Sequence, residues 1–295
     1  MAPRLNKFSA PLRRTVFPIG QGGLSYLYSD QDFDTTIVLL HGIPASSELW
    51  RDVMIHLRHE LFGVYAPDLP GYGYTRFPVD EDFSLAGAAE KISYWIRHKL
   101  GKKVWVVGHD LGGAVAQILA VHYPEWVARL TLINSPFNRS WPVFPVRLFR
   151  LAARSGLYPW IARHGLVVNP YTCHKIRQAF YQSDTYSREK INHIFWRNKL
   201  NNEEGARQFA RHLQALDNRQ TRQIVNKLRD LPMPVQLIWG MRDHYQPWKR
   251  VGRKLEQALP SPTVIQLQDC GHYVPLEKPR ALSETLINWE APVPT

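Results

Sequence analysis

The sequence predicts an α/β fold, in which helices cover both faces of a mostly parallel sheet and a helical cap is inserted between two strands. Six short apolar segments alternate with segments of helical spacing along most of the 295 residues. Such continuous apolar strands are typical of parallel sheets buried on both faces. From about residue 136 to residue 229 no strand pattern is found, and strands resume only at Val235. The composition, 44% hydrophobic and 21% charged, excludes a disordered chain.

The elements outside the cap are predicted in chain order from their spacing. An antiparallel hairpin is expected over residues 15–29, because three glycines interrupt the chain there. The six parallel strands are predicted at Thr36–Leu40, Phe62–Ala66, Lys103–Gly108, Leu130–Ile133, Val235–Trp239 and Val264–Leu267. Two helices are predicted between these strands, at Leu85–Leu100 and Leu111–His122.

The stretch without strands is predicted to form the cap, because its periodic segments all have helical spacing. These segments are Val146–Ala153, Lys175–Tyr181, Lys190–Leu200 and Ala206–Leu216. A helical stretch between two strands of one sheet is better explained as an insertion than as a tandem domain. We therefore expect a core built from residues 1–135 and 231–295, with residues 136–230 as the cap.

The segment Gly108-His109-Asp110-Leu111-Gly112-Gly113 has the pattern of a nucleophile elbow. It follows an apolar strand and opens a helix, and small residues stand two positions before and after Asp110. Those small residues let the backbone make a strained, tightly packed turn that points the central side chain into a site. An alternative is a glycine-rich turn in which Asp110 only caps the helix.

Three further motifs favour the elbow over the simple turn. His41-Gly42-Ile43-Pro44, Trp239-Gly240-Met241-Arg242-Asp243 and Gly271-His272-Tyr273-Val274-Pro275 each follow a predicted strand. The carboxyl ends of parallel strands meet at one edge of a sheet, where open α/β folds place their sites. The order of nucleophile, acid and histidine along the chain is the order known for the elbow motif.

With these motifs, residues from about 36 to 289 resemble the α/β-hydrolase superfamily, and specifically its members with an aspartate nucleophile. The resemblance implies Asp110 as nucleophile, His272 as base and Asp243 as the acid that orients the histidine. It also implies that the backbone N–H groups of Ile43 and Leu111 form an oxyanion hole. Asp269 is a nearby alternative acid, although Asp243 matches the family position.

An aspartate nucleophile resembles two branches of this superfamily, the epoxide hydrolases and the haloalkane dehalogenases. Both attack an sp³ carbon, which suits a carboxylate that is ionised without a base. Dehalogenases commonly have a tryptophan after the nucleophile, and often an asparagine in the HG-x-P loop. Leu111 and Ile43 stand there and cannot donate from their side chains. The resemblance therefore favours an epoxide hydrolase, although the run Ser46–Trp50 is more similar to the dehalogenases.

Epoxide hydrolases use cap tyrosines to donate a hydrogen bond or a proton to the oxygen of the opening epoxide. We therefore predict that cap tyrosines contribute to the substrate site. The candidate tyrosines are Tyr158, Tyr171, Tyr181 and Tyr186. Tyr181 and Tyr186 flank a polar turn and are preferred, with Tyr181 first. A halide would instead use an indole donor. The predicted substrate-binding set is His41, Trp141, Tyr181, Tyr186 and Trp196.

Two other classes stay open. One is cleavage of lactones or esters, or a lyase reaction, by the same triad, but carboxylate attack on an ordinary ester would form an unfavourable anhydride. The other is a receptor with this fold that has lost turnover, although such receptors usually have a broken triad. No phosphate loop, dinucleotide fingerprint or metal-ligand cluster is found, so we predict no cofactor and no bound metal. The expected partners are a small apolar organic substrate and water.

The net charge of +12 is concentrated in the predicted cap. Residues 137–230 carry 17 Lys and Arg and 6 Asp and Glu, or +11. Such a segment can attract nucleic acid, an anionic membrane surface or an acidic substrate. The basic residues are scattered and no nucleic-acid motif accompanies them, so we expect solvated helix faces and no nucleic-acid partner.

Cellular location and assembly are only weakly indicated. Cys173 and Cys270 are the two cysteines, too few for a disulfide framework, so a reducing cytoplasm is expected. No apolar run approaches the length of a membrane-spanning helix, and the N-terminus lacks the apolar region of a secretory signal. A homodimer is compatible with the sequence.

Overall fold

The protein forms an eight-stranded, mostly parallel sheet in a computed structural model that describes residues 11–29, 33–58, 62–164, 170–182, 186–196 and 203–289. The strands in chain order are β1 (Arg13–Ile19), β2 (Gly22–Tyr28), β3 (Thr35–Leu40), β4 (Phe62–Pro67), β5 (Val104–His109), β6 (Val127–Ile133), β7 (Val235–Gly240) and β8 (Thr263–Leu267). Their order across the sheet is β1-β2-β4-β3-β5-β6-β7-β8. The predicted fold class is confirmed.

The direction of each strand agrees with the sequence pattern. β1 and β2 form the predicted antiparallel hairpin, and β2 joins β4 in antiparallel pairing. All pairs from β4 through β3 to β8 are parallel. Every residue of the central strands β5 and β7 is buried, whereas the edge strands β1 and β8 are partly exposed. Long apolar runs therefore mark the strands that are covered on both faces.

Twelve α-helices surround or extend from the sheet in the described part of the chain. They are α1 (Arg51–Leu57), α2 (Leu85–Trp95), α3 (Leu111–His122), α4 (Phe144–Arg154), α5 (Tyr158–Arg163), α6 (Pro170–Arg177), α7 (Arg188–Ile191), α8 (Glu203–Ala215), α9 (Arg219–Gln223), α10 (Gly252–Ala258), α11 (Val274–Glu277) and α12 (Pro279–Ile287). α2 packs on α3, and α1 packs on α12. The helix predicted at Leu111–His122 is confirmed with the same bounds. The helix predicted at Leu85–Leu100 is α2 followed by one wider helical turn at Ile96–Leu100.

All described elements between β6 and β7 are helical, and two of the predicted cap helices end several residues before the predicted end. The helix predicted at Lys175–Tyr181 is α6, which ends at Arg177, because the chain turns there to meet the loop before α11. The helix predicted at Lys190–Leu200 is α7 followed by a wide turn to Trp196, and residues 197–200 lie outside the described residues. Within the described ranges, no helix is long and apolar enough to cross a bilayer.

Candidate active site

Asp110 stands at a strained turn between β5 and α3. Its backbone has φ 49° and ψ −128°, a conformation that side chains other than glycine rarely adopt. The turn is packed so closely that a Cβ on Gly108 would lie 2.5 Å from the carbonyl oxygen of Gly112. A Cβ on Gly42 would lie 2.4 Å from the Cβ of Asp110. The small residues of the predicted elbow are therefore required by close backbone approach.

The three residues predicted as a triad lie together at the carboxyl edge of the sheet. The Nδ1 atom of His272 is 2.8 Å from Oδ2 of Asp243, and the opposite nitrogen, Nε2, is 4.0 Å from Oδ2 of Asp110. All three side chains are buried. Asp269, the alternative acid, is exposed. Asp243 therefore orients the imidazole ring, and the other nitrogen of that ring faces Asp110.

Asp243 is held by a set of donors that sequence reasoning did not find. Nδ2 of Asn134 donates to Oδ2 of Asp243 at 2.7 Å. The backbone N–H groups of Tyr245 and Gln246 donate to Oδ1 at 2.7 and 3.1 Å. Burial alone would raise the pKa of Asp243, but His272 and these hydrogen bonds lower it below its ordinary value. Asp243 is therefore ionised at neutral pH.

The two carboxylates control the protonation of His272. Burial by itself would lower the pKa of His272, but the negative charges of Asp243 and Asp110 outweigh it and raise the pKa above its ordinary value. His109, by contrast, is buried next to His272, and its pKa falls to about 4. Its Nε2 lies 2.8 Å from the carbonyl oxygen of His272. The two carboxylates thus favour the protonated form of His272, whereas burial favours the neutral form of His109.

One backbone N–H group already contacts the Asp110 carboxylate. Ile43 donates from its N–H to Oδ2 of Asp110 at 3.0 Å. Leu111 is the first residue of α3, and the first N–H groups of a helix have no acceptor within that helix. Ile43 therefore supplies one backbone donor to the Asp110 carboxyl group.

Glu277 connects the loop that carries His272 to the turn after α6. The carboxylate of Glu277 accepts from the N–H of Gly271 at 3.0 Å and from the N–H of Tyr181 at 2.8 Å. The N–H of His272 itself donates to the carbonyl oxygen of Ala179 at 2.8 Å. Burial raises the pKa of Glu277, although these N–H groups oppose the rise. A displacement of the turn at residues 179–181 would therefore be transmitted to His272.

A large cavity opens over Asp110 and His272. Its volume is about 1010 Å³, and both side chains form part of its wall. Most of the remaining wall is apolar. It comes from α4, from α6 and the turn after it, and from the loops after β7 and β8. Its members include Val146, Phe149, Ile176, Phe180, Tyr245 and Tyr273. A cavity of this size and polarity fits a small organic molecule. Within the described ranges no group of three or more His, Cys, Asp or Glu is placed to hold a metal ion.

Comparison with known proteins agrees with the fold. Residues 35–279 match the family model described as the alpha/beta hydrolase fold. The chain belongs to the α/β-hydrolase family. The soluble epoxide hydrolase of Corynebacterium sp. strain C12 is 29% identical over 272 residues, which cover 87% of this chain and 90% of that protein.

Other similar α/β hydrolases have different activities. The human monoacylglycerol lipase ABHD6 is 27% identical over 263 residues, covering 88% of this chain and 76% of that protein. The crystal structure of haloalkane dehalogenase DbeA from Bradyrhizobium elkani USDA94 has a TM-score of 0.77 and 20% identity, covering 95% and 97% of the two chains. At that identity the likeness shows the fold alone. Overall similarity therefore does not select the reaction of this α/β hydrolase, and the site residues must.

Three of the five residues predicted to bind substrate do not line the cavity. His41 is fully buried, and its Nε2 accepts from the N–H of Leu69 at 3.0 Å, so it fixes the loop after β4. Trp141 donates from Nε1 to the hydroxyl of Thr221 at 2.9 Å. The hydroxyl of Tyr186 donates to the backbone carbonyl of Leu276. These three assignments are wrong, because each polar group is already used inside the protein.

The other two predicted residues, Tyr181 and Trp196, do line the cavity. Tyr181 is 43% exposed, so its hydroxyl can reach solvent or substrate. Trp196 is buried, and its Nε1 has no hydrogen-bond partner among the described residues. Of the remaining candidates, Tyr158 is buried and does not line the cavity, and the side chain of Tyr171 lies outside the described part of the chain.

Proposed function

We propose that this α/β hydrolase acts through a covalent alkyl ester on Asp110 and that its substrates are epoxides. The observation that carries the proposal is the carboxylate at the elbow, where serine esterases have a hydroxyl. Asp110 faces the cavity with its Oδ2 against the N–H of Ile43, which leaves Oδ1 for attack. A carboxylate attacks an sp³ carbon well, whereas its attack on an ester would give an anhydride.

In the first half-reaction, Oδ1 of Asp110 attacks one epoxide carbon and the carbon–oxygen bond breaks. The ring oxygen becomes an alkoxide that takes a proton, and the substrate is left as an ester of the Asp110 side chain. Residues 136–230, as a cap over the cavity, would supply the proton donor. The cap tyrosine that lines the cavity is Tyr181, and general acid help of this kind is worth about 10²–10⁴-fold.

The second half-reaction depends on the loss of the negative charge of Asp110 in the first. Once Asp110 is an ester it no longer carries a negative charge, so one of the two causes that raise the pKa of His272 is lost. His272 can then release its proton, which restores the hydroxyl of the cap donor, and accept another from water. The resulting hydroxide attacks the carboxyl carbon of Asp110, and the N–H groups of Ile43 and Leu111 stabilise the oxyanion. When that intermediate collapses, the proton of the added hydroxyl passes to the departing alkoxide, so the diol is released and the Asp110 carboxylate is restored.

A substrate panel tests this proposal. Aromatic and aliphatic epoxides and bromoalkanes of matched size are supplied to the purified protein, and products are identified by mass. We expect diols from the epoxides at higher kcat/KM than alcohols from the bromoalkanes. The similarity to the Corynebacterium soluble epoxide hydrolase supports this expectation. Turnover of esters alone would contradict the aspartate mechanism.

Tyr181→Phe is expected to slow epoxide hydrolysis by about 10²–10⁴-fold, because it removes the cap hydroxyl that lines the cavity. The measurement is the rate of ester formation in a single turnover. Tyr186→Phe is the matched control, since that hydroxyl bonds Leu276 and is absent from the cavity wall. The control should lose stability and keep the rate of ester formation. Equal rates in both variants would remove Tyr181 from the mechanism.

Haloalkane dehalogenation is the second candidate, and the unpaired indole of Trp196 favours it. A buried N–H without a partner is costly, and a departing halide would accept its hydrogen bond. Trp196→Phe should therefore reduce bromide release by at least about tenfold, as the loss of ~1.5–3 kcal/mol for a hydrogen bond to a charged group implies, and leave epoxide turnover nearly unchanged. Bromoalkanes that outperform every epoxide in the panel would make this the principal reaction.

A further inference from the structure

The exposed apolar side chains of the protein are concentrated in two neighbouring helices. Ten large hydrophobic side chains are exposed in the described residues, and half of them belong to α4, α5 or the turn between them. These five form what we call the α4–α5 surface: Phe144, Leu148, Leu151, Leu157 and Trp160. Phe144 is 70% and Leu151 is 67% exposed. Contiguous apolar patches on a soluble chain mark an interaction site more often than chance exposure does.

The spacing on α4 makes this surface a continuous stripe. Phe144, Leu148 and Leu151 are separated by four and three residues, so they lie along one face of the helix. Ala153 lies on the opposite face and is fully buried. The exposed Arg147 and Arg154, seven residues apart, lie together along one flank of the stripe. The outward face of α4 therefore carries both the apolar stripe and the two cations.

The charge around this surface has one sign. From Phe137 to Ser183 the sequence contains seven Lys and Arg and no Asp or Glu. The carboxylate of Asp217 interacts electrostatically with Arg150 of α4, but it accepts its side-chain hydrogen bond from Arg219. No carboxylate of a described residue forms an ion pair with Arg147 or Arg154. Arg147 donates from Nε to the carbonyl oxygen of Pro142 at 2.9 Å. The positive charges of Arg147 and Arg154 are thus not neutralised by a carboxylate of a described residue.

The α4–α5 surface also adjoins the catalytic cavity. Phe144 and Leu148 belong to the stripe and to the cavity wall at the same time. A partner that covers this surface would lie against the mouth of the cavity. An apolar substrate dissolved in that partner would enter the site without crossing water.

We propose that the α4–α5 surface docks on a lipid bilayer with anionic headgroups. The apolar stripe enters the boundary between headgroups and acyl chains, and Arg147 and Arg154 reach lipid phosphates beside it. Trp160, which is 56% exposed, suits the same interfacial layer. A second copy of the chain fits less well, because two surfaces with excess positive charge would repel each other. The docking does not depend on the reaction proposed above.

Flotation of the full-length protein with vesicles tests the proposal. We expect binding to vesicles of phosphatidylcholine and phosphatidylserine in equal parts, and at least about tenfold weaker binding to pure phosphatidylcholine. Arg147→Gln with Arg154→Gln should weaken binding by roughly 25-fold, since each charge near the surface contributes about fivefold. Leu151→Ser with Leu157→Ser should weaken it by at least about tenfold. Binding should also decrease as salt screens the charges.

Matched controls lie on a remote helix and loop. Arg253→Gln with Lys254→Gln removes two exposed charges from α10, and Val79→Ser removes an exposed apolar side chain elsewhere. Both controls should bind vesicles as the unchanged protein does. Failure to bind anionic vesicles, or equal losses in the control variants, would overturn the proposal. A dimer in sedimentation that Leu151→Ser with Leu157→Ser dissociates would also overturn it, because the surface would then join two copies.

Because flotation needs no substrate, its result is separate from the result of the epoxide panel. Vesicle binding without epoxide turnover would leave the docking surface in place and reject only the reaction. Epoxide turnover without vesicle binding would reject the docking surface and leave the proposed reaction in place.

Discussion

His272→Gln is expected to stop the reaction after its first half and to trap the substrate on Asp110. Glutamine cannot take a proton from water, so the ester formed on Asp110 is not hydrolysed, while ester formation still occurs. Steady-state turnover should decrease by about 10²–10⁴-fold, the usual contribution of a general base. Intact-protein mass spectrometry should detect one added substrate mass, and peptide mapping should locate it at Asp110.

The exposed residue His98 provides the control for this variant. His98→Gln should show normal turnover and no mass increase. If His272→Gln turned over normally without an adduct, His272 would not be the base, in spite of its 2.8 Å contact with Asp243. A receptor without turnover would form no adduct in either protein.

Asp110→Asn is expected to abolish both ester formation and turnover. The amide has nearly the same shape, and asparagine tolerates the positive φ of this position better than most residues do, so the fold should be retained. The loss of a nucleophile typically lowers kcat by about 10⁴–10⁶-fold. Single-turnover mass spectrometry should detect no adduct.

A second readout separates this chemical role from a structural one. The charge of Asp110 is one cause of the raised pKa of His272, so Asp110→Asn should lower that pKa. Titration followed by NMR of the His272 ring measures the shift. Asp269→Asn, which removes an exposed carboxylate on the loop before His272, should leave both the pKa and turnover unchanged. Normal turnover by Asp110→Asn would reject the covalent mechanism.

The central sheet could be predicted because its signal is local. Strands such as β5 and β7 are buried on every residue, so their sequences are mostly apolar, with Gln236 as a buried polar exception in β7. The elbow could also be predicted, because close packing excludes side chains at Gly108 and Gly112. Asp243 and His272 could be placed because the carboxyl ends of parallel strands meet at one edge.

Residues whose role depends on a distant partner could not be assigned in this way. Trp141 bonds Thr221 and Tyr186 bonds Leu276, 80 and 90 residues away along the chain, and no local pattern announces either contact. Asn134 reaches Asp243 across 109 residues. Its position directly after β6 was the one available signal, because polar residues at strand ends belong to the site edge. Glu277 gave no signal, since its partners are backbone N–H groups.

The measurement that tests the central claim most directly is one turnover in water labelled with ¹⁸O. The protein is mixed with less than one equivalent of epoxide, and both the product and the Asp110 peptide are weighed. If Asp110 attacks the substrate and water then attacks its ester, the oxygen that enters the diol comes from the Asp110 carboxylate. The account predicts label in the Asp110 peptide and an unlabelled first product. A labelled first product with an unlabelled Asp110 would show that water attacks the epoxide directly, and would contradict the account.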